Sequence, residues 1–257
     1  MLIGFDPYTG TRGRFKAPEL VDLVSDAGYE AMNLIATEDF LPPDDEELLH
    51  RTEERLATCG LSVPTFYFTR DDLVLLPGAQ AEVRTWGAKM LELADRFNAP
   101  KIGVGTWALP QGVSKDAQLQ ALANTLLILC DAAADAGRVV SVEFETKGAL
   151  TDCFSARDFV LGLDDRCRLT ADTYHMFTAG TDLCKGLVAL EGLLGEVHLS
   201  GSHRGEPGSE GDACDWDGLM TGLREIGYEG PLVLQYTVQE LDSLARACEF
   251  ARNLAGG

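Results

Sequence analysis

Eight short runs of apolar and β-branched residues recur along the chain, and a segment with helical periodicity separates each run from the next. The runs lie at 2–6, 31–36, 62–68, 101–107, 139–145, 168–173, 196–200 and 232–237. One strand and one helix thus repeat every 30 to 40 residues or so, roughly the length of a βα unit. Parallel strands joined by right-handed crossovers close into a barrel at eight strands. The pattern predicts an α/β fold, a (βα)8 TIM barrel, as a single domain over 1–257.

The segments between the runs have the apolar spacing of amphipathic helices. In the first of them Leu20, Val21 and Val24 share one face, and Gly28 stands where a helix would end. Similar glycines follow the later helical segments at positions 60, 137 and 227. An open, doubly wound sheet is the competing fold, but the first run lacks the glycine-rich phosphate loop that such sheets usually carry. The barrel is therefore the favoured fold.

Composition excludes several classes of partner. Asp and Glu number 41 against 21 Lys and Arg, and the net charge of −20 repels a nucleic acid backbone. The seven cysteines form no CxxC pair and lie mostly in apolar runs, which is typical of reduced thiols in a cytoplasmic protein. No basic N-terminal region precedes an apolar stretch, and no window approaches the ~20 apolar residues of a membrane span. We therefore expect neither a nucleic acid nor a membrane partner.

Polar side chains interrupt the apolar strands near the ends of the last four. Glu143 and Glu145 share the inward face of the fifth strand, Asp172 ends the sixth, and His198 and Gln235 lie in the seventh and eighth. Inward carboxylates are too costly to leave unpaired, and oxygen ligands with one imidazole suit Mn²⁺ first, with Mg²⁺ or Co²⁺ as alternatives. Each residue alone is better explained as a helix cap or a core side chain. Their coincidence predicts one divalent metal at the mouth of the barrel.

Three motifs in the C-terminal half, AGRVVSVEFE, LTADTYHM and EVHLSGSHRGEPGSEGD, carry a family resemblance. The chain resembles the xylose-isomerase-like barrel superfamily, most closely its ketose 3-epimerases and hydroxypyruvate-isomerase-like members. The resemblance implies that Glu143 ligates the metal and acts as the catalytic acid/base. It also implies that Asp172 and His198 are metal ligands and that His175 and Arg204 contact the substrate.

The chain departs from this family's pattern at three positions. Gln235 stands where the family usually carries a Glu that is both fourth ligand and second acid/base, and Ala149 and Gly201 replace acids of many epimerases. A Gln can ligate through its carbonyl oxygen but cannot take up a proton. Glu145 lies on the same strand as Glu143, so it does not obviously supply a base on the opposite face of a substrate. A reaction that needs one base fits these residues better than a two-base epimerisation.

Other residues near the strand ends have weaker interpretations. Glu145 and Trp107 are expected to contact substrate, although a strand-end Trp is as often simple packing. Lys147 and Tyr8 are expected to be ordinary loop residues.

The leading functional hypothesis is a metal-dependent isomerase or epimerase that acts on a small sugar or keto-polyol through an enediolate. A lyase or dehydratase on a keto-polyol with the same metal site is the alternative, as is a degenerate barrel that binds a sugar without turning it over. An apurinic endonuclease of this fold would need more His ligands and a basic surface, which the net charge of −20 opposes. The residues leave the exact substrate open, and they leave a homo-oligomer open as well.

Overall fold

The computed structural model describes residues 1–7, 10–11, 13–163 and 165–256, and Tyr8 lies outside them. Short parallel strands, mostly buried, surround a central axis and alternate with helices along the chain. The described strands are β1 (Ile3–Phe5), β2 (Ala31–Met32), β3 (Leu34–Ile35), β4 (Thr65–Tyr67), β5 (Lys101–Val104), β6 (Val139–Glu143), β7 (Cys167–Asp172), β8 (Leu194–Leu199) and β9 (Leu232–Leu234).

The sheet order is β2-β1-β9-β8-β7-β6-β5-β4-β3, so β2 and β3 lie at its two ends. These two short strands are halves of the single predicted run 31–36, separated only by Asn33. The first half pairs with β1 and the second with β4, which closes the sheet into a barrel. Across the described residues, nine assigned strands therefore correspond to the eight predicted runs, and the predicted TIM barrel is confirmed.

The described helices form the outer layer of the barrel. They are α1 (Ala17–Asp26), α2 (Glu46–Cys59), α3 (Asp71–Val74), α4 (Gln80–Arg96), α5 (Lys115–Asp135), α6 (Cys153–Leu161), α7 (Thr173–Thr178), α8 (Leu183–Val188), α9 (Trp216–Glu225) and α10 (Ser243–Gly256). Leu20, Val21 and Val24 are fully buried on α1, as their spacing predicts. Gly28 follows this helix with a φ of +92°, a left-handed conformation that glycine adopts without strain.

The sequence predicts no segment that is long and apolar enough to span a membrane, and α5 departs from that expectation. Over the described residues, α5 is the only helix that is long and apolar enough to cross a membrane by length and composition. Its buried residues include Leu122, Leu126 and Leu129, whose spacing of three to four residues places them on one face. That face packs on the barrel beside α4 and β6. The apolar composition of α5 is thus explained by its place in the outer layer.

Candidate active site at the mouth of the barrel

A cavity of about 460 Å³ opens where the carboxyl ends of the strands meet. Polar side chains that line it follow β6, β7, β8 and β9, as expected for the functional end of this fold. Of the residues predicted from the sequence, the lining includes Trp107, Glu143, Glu145, His175, Arg204 and Gln235. The remaining two, Asp172 and His198, are fully buried beside it.

The fifth barrel strand, β6, supplies both glutamates. Glu143 is its last residue, and Glu145 follows two positions later on the same side of the chain. Backbone hydrogen bonds hold the turn after the strand: Glu145 N donates to Leu150 O over 2.8 Å, and Gly148 N donates to Glu145 O over 2.7 Å. The predicted inward pair of carboxylates is present, with Glu143 deeper and Glu145 nearer the opening.

Asp172 links the next strand to the helix that follows it. It ends β7 and caps α7, where its Oδ1 accepts hydrogen bonds from the backbone nitrogens of Tyr174 and His175 over 2.8 and 3.4 Å. This cap places the His175 ring three residues later back over the strand end. Ligand atoms of Glu143, Asp172 and His175 lie within 4.8 Å of one another, a separation that one metal ion can bridge.

His198 lies below this group, in the interior of the barrel. Its Nε2 is 2.9 Å from Glu196 Oε1 and 3.0 Å from the Tyr67 hydroxyl, and its Nδ1 is 3.4 Å from Glu143 Oε1. Although burial favours the neutral ring, the carboxylates of Glu143 and Glu196 outweigh it and raise the pKa of His198 well above its usual value.

Two buried atoms in this arrangement indicate where a cation would fit. Over the described part of the chain, neither Glu143 Oε1 nor His198 Nδ1 has a hydrogen-bond partner, although the two atoms face each other. A buried polar atom without a partner costs about 1–3 kcal/mol, so this pair needs a positive charge between its atoms, which a proton on Nδ1 or a metal ion in its place supplies. The donor set of carboxylate oxygens and imidazole nitrogen suits a divalent ion such as Mn²⁺. The residues therefore fit a divalent metal ion.

Arg204 occupies the centre of the polar side of the mouth. Its guanidinium donates to Asp172 Oδ2 through Nη1 and to Gln235 Oε1 through Nη2, and it stacks 5.0 Å from the centre of the Tyr174 ring. Burial alone would raise the pKa of Asp172, but the charges of Arg204 and of the nearby imidazoles hold it below its usual value. Arg204, the predicted substrate contact, thus bridges two of the predicted metal ligands, Asp172 and Gln235.

Glu145 is held differently from the deeper carboxylates. Its Oε1 accepts a weak hydrogen bond of 3.3 Å from Thr106 N, and its Oε2 is 3.9 Å from His175 Nε2. Burial, and then repulsion from Glu143, raise the pKa of Glu145 to about 8. In the absence of a metal ion, Glu145 is thus a carboxylic acid near neutral pH.

The structure brings the predicted residues into one region, but in a grouping that the sequence did not predict. The three-residue cluster contains His175, which was predicted to contact substrate, whereas His198 lies outside it, with its Nδ1 3.4 Å from Glu143 Oε1. Trp107 is 45% exposed at the rim of the cavity.

A layer of buried polar residues lies beneath the mouth and was not predicted from the sequence. Asn33 Nδ2 donates to Asp6 Oδ2 over 3.0 Å and to Glu196 Oε1 over 2.7 Å, and Lys101 Nζ lies 3.4 Å from Glu196 Oε2. A signal for Glu196 was available, because it lies two positions before His198 and therefore shares its inward face. Asp6 and Asn33 likewise interrupt apolar runs, the first and second along the chain.

The chain is similar to known sugar epimerases in sequence. It is 28% identical to a 3-dehydro-D-guloside 4-epimerase of Escherichia coli over 147 residues, which cover 54% of this chain and 55% of that protein. It is 30% identical to a ketose 3-epimerase of Arthrobacter globiformis over 111 residues, which cover 42% of this chain and 38% of that protein. The matches thus span about half or less of these relatives.

Similarity in structure extends over the whole chain. The fold superposes on D-psicose 3-epimerase from Clostridium cellulolyticum H10, solved with D-tagatose, with a TM-score of 0.86 at 16% identity over 99% of each chain. At that identity the likeness shows the fold alone. Residues 21–254 match the model of a family described as xylose isomerase-like TIM barrel. The chain therefore belongs to the xylose isomerase-like TIM barrel family.

Proposed function

We propose that this protein is a divalent-metal-dependent isomerase or epimerase of a small sugar or keto-polyol, and that Glu143 is its proton-transferring group. The observation that carries the proposal is the placement of Glu143. Its carboxylate lies at the base of an open cavity, within 4.8 Å of ligand atoms of Asp172 and His175, and its Oε1 faces His198 Nδ1. The sugar epimerases among the relatives support this choice of chemistry.

The lining of the cavity suits a polyhydroxylated substrate. Ile35, Phe68 and Trp107 give it an apolar side, on which the C–H face of a sugar would pack. Arg204 and His175 give it donors for hydroxyl and carbonyl oxygens. A volume of about 460 Å³ accommodates a molecule of monosaccharide size.

The residues take distinct roles in this proposal. Glu143, Asp172, His198 and Gln235 would hold the metal, with Mn²⁺ expected first, and a divalent ion there supplies Lewis-acid stabilisation of a developing enediolate. Glu143 removes the proton next to the carbonyl group and returns it to the neighbouring carbon. Arg204 and His175 orient the substrate oxygens so that the acidic C–H bond faces Glu143.

A lyase on a keto-polyol is the second candidate, and Gln235 is the observation that favours it. Its side chain cannot exchange a proton, so an epimerase would need another acid on the opposite face of the substrate. The other carboxylates that line the cavity are Glu145 and Asp71, and either would have to take that role. In the elimination of a β-oxygen, Glu143 would take the proton next to the carbonyl group and pass it to the departing hydroxyl group, which leaves as water, so no second carboxylate is needed.

Proton NMR in D₂O distinguishes these functions. Purified protein with Mn²⁺ is incubated with keto- and aldo-sugars and inososes, and deuterium incorporation next to the carbonyl group is followed together with product identity. We expect exchange with isomerised or epimerised product, and loss of exchange in Glu143→Gln by about 10²-fold or more. Loss of water from the substrate would identify the lyase. Bound Mn²⁺ with no exchange on any compound would contradict catalysis and indicate a sugar-binding barrel.

A further inference from the structure

The contact between Asp6 and Gln235 bears on the position where this chain departs from the family pattern. Asp6 directly follows β1 and is fully buried, and Gln235 directly follows the neighbouring strand β9. Gln235 Nε2 donates to Asp6 Oδ1 over 3.3 Å, while Asp6 Oδ2 accepts from Asn33 Nδ2 over 3.0 Å. Asp6 therefore supplies acceptors to two buried side-chain amides at once.

The neighbours of Gln235 allow only one orientation of its amide group. Arg204 has only donors to offer, so the oxygen of the amide must face it, and the structure has Arg204 Nη2 donating to Gln235 Oε1. The amide nitrogen faces Asp6, whose Oδ1 accepts from Gln235 Nε2 while its Oδ2 accepts from Asn33 Nδ2. The carbonyl oxygen of Gln235 is consequently turned toward Arg204, on the side where both residues line the cavity.

A glutamate at position 235 would meet the opposite situation. It would place a second acceptor-only group about 3.3 Å from Asp6 Oδ1, with no hydrogen between them. Two buried carboxylates in contact are strongly unfavourable. The contact with Asp6 thus favours Gln at position 235 over an ionised Glu, the form in which a glutamate would ligate a metal ion.

We propose that Asp6 is a positioning residue for the metal site, and that Asp6 and Gln235 are a matched pair that can change only together. The pair keeps one carboxylate and one amide in contact, with the carboxylate at position 6 instead of at position 235. This inference rests on the metal site of the proposed function. In the exchanged pair, Asn at position 6 would donate to Glu at position 235 and still accept from Asn33, so the hydrogen bond between positions 6 and 235 would be kept with its direction reversed.

A double-mutant cycle tests the pairing. Wild type, Asp6→Asn, Gln235→Glu and the double variant are compared by their melting temperatures in EDTA and by their Mn²⁺ affinities from calorimetry. Asp6→Asn should lower Tm in the Gln235 background, because two amide nitrogens would then face each other. The same change should raise Tm by about 6 °C or more in the Gln235→Glu background, because it removes the contact between carboxylates. If Gln235→Glu alone does not fold, recovery of folded protein in the double variant shows the same stabilisation of the Gln235→Glu background by Asp6→Asn.

The Mn²⁺ affinities test the positioning role. We expect Asp6→Asn alone to weaken Mn²⁺ binding by about tenfold, because the Gln235 carbonyl turns away from the mouth, and the double variant to bind at least as tightly as wild type. A Tm loss of similar size from Asp6→Asn in both backgrounds would overturn the matched pair. A single variant within about twofold of wild-type Mn²⁺ affinity would overturn the positioning role. If the proposed function is wrong, turnover is absent, but Asp6→Asn still lowers Tm in the Gln235 background and raises it in the Gln235→Glu background in EDTA.

Discussion

Glu196 Oε1 lies 2.9 Å from His198 Nε2 in the interior of the barrel, where both side chains are fully buried. Although burial opposes ionisation, the donors around Glu196, chiefly His198, Lys101 and Thr65, lower its pKa to about 2. An ionised carboxylate can only accept, so His198 Nε2 carries a hydrogen, and Nδ1 is the nitrogen that can present a lone pair toward Glu143. The orientation of the predicted ligand is thus fixed by the residue two positions before it.

Glu196→Gln tests this relationship. We expect Mn²⁺ affinity to fall by about 10–100-fold, because the imidazole loses the carboxylate that fixes its tautomer and orientation. Ser141→Ala is the matched control, since Ser141 also points into the barrel but hydrogen-bonds Thr170 over 2.8 Å rather than His198. Isothermal calorimetry on both variants gives the measurement. If Glu196→Gln leaves the Mn²⁺ affinity unchanged, then either His198 is not a metal ligand or Glu196 does not orient its imidazole.

The raised pKa of His198 predicts how metal binding depends on pH. Glu143 and Glu196 favour the doubly protonated ring, so a metal ion that binds at Nδ1 must displace a proton. Mn²⁺ affinity should therefore rise as pH increases through neutrality. Calorimetric titrations in buffers of different ionisation enthalpy count the released protons, and we expect about one from this ring. Binding without proton release at pH 6.5 would place the ion away from His198.

The contacts of Arg204 predict a stability effect as well as a catalytic one. Sequence alone suggests that Arg204→Ala changes KM or kcat with little effect on Tm. The structure places its guanidinium against the fully buried Asp172, and loss of one partner from a buried ion pair costs about 3–5 kcal/mol. We expect Tm in EDTA to fall by roughly 6–15 °C, and by less in saturating Mn²⁺, which replaces the lost positive charge.

Arg246→Ala is the control for that measurement. Arg246 also forms a bidentate pair, with Glu206 over 2.9 and 2.8 Å, but its side chain is half exposed. Solvent screens an exposed pair of this kind, so it contributes little to stability and Tm should hardly change. Equal and small losses from the two arginines would show that Asp172 does not depend on Arg204.

Glu145 predicts a pH dependence of stability in the metal-free protein. Its pKa of about 8 lies above the ordinary value of 4.5, so the folded state binds its proton more tightly than the unfolded state does. That contribution is fully present below pH 4.5 and is lost as pH rises through 8, and it amounts to a few kcal/mol. Glu145→Gln should therefore lose less Tm than wild type between pH 5 and pH 8 in EDTA. Parallel curves for the two proteins would contradict the raised pKa.

The barrel could be predicted from the sequence because burial imposes a regular pattern on strands and helices. Each of the eight apolar runs became a strand within a few residues of its predicted bounds, and the run 31–36 was divided because Asn33 turns its amide inward to two carboxylates. This division depends on hydrogen-bond partners at positions 6 and 196, which are far from Asn33 in the chain. The spacing of apolar residues along the sequence does not reveal such partners.

The candidate site was predictable only where residues lie at strand ends. Glu143, Asp172 and Gln235 were found from that rule. The cluster of His175 with Glu143 and Asp172 depends on how the Asp172 cap begins α7, and the bridge made by Arg204 depends on the loop after β8. Both are products of loop geometry, which the spacing of residues in a sequence does not fix.

Arg204 has a φ of +61°, one of two left-handed non-glycine residues in the described part of the chain. At such a position glycine is more stable than a residue with a side chain by about 1 kcal/mol, so an engineer who optimised only the backbone would choose glycine here. That choice would remove the guanidinium that joins Asp172 to Gln235. Loss of that buried ion pair costs about 3–5 kcal/mol, which exceeds the backbone gain. Stability and chemistry therefore favour the same residue here, and a library selected for heat resistance alone should keep Arg204 despite its left-handed backbone.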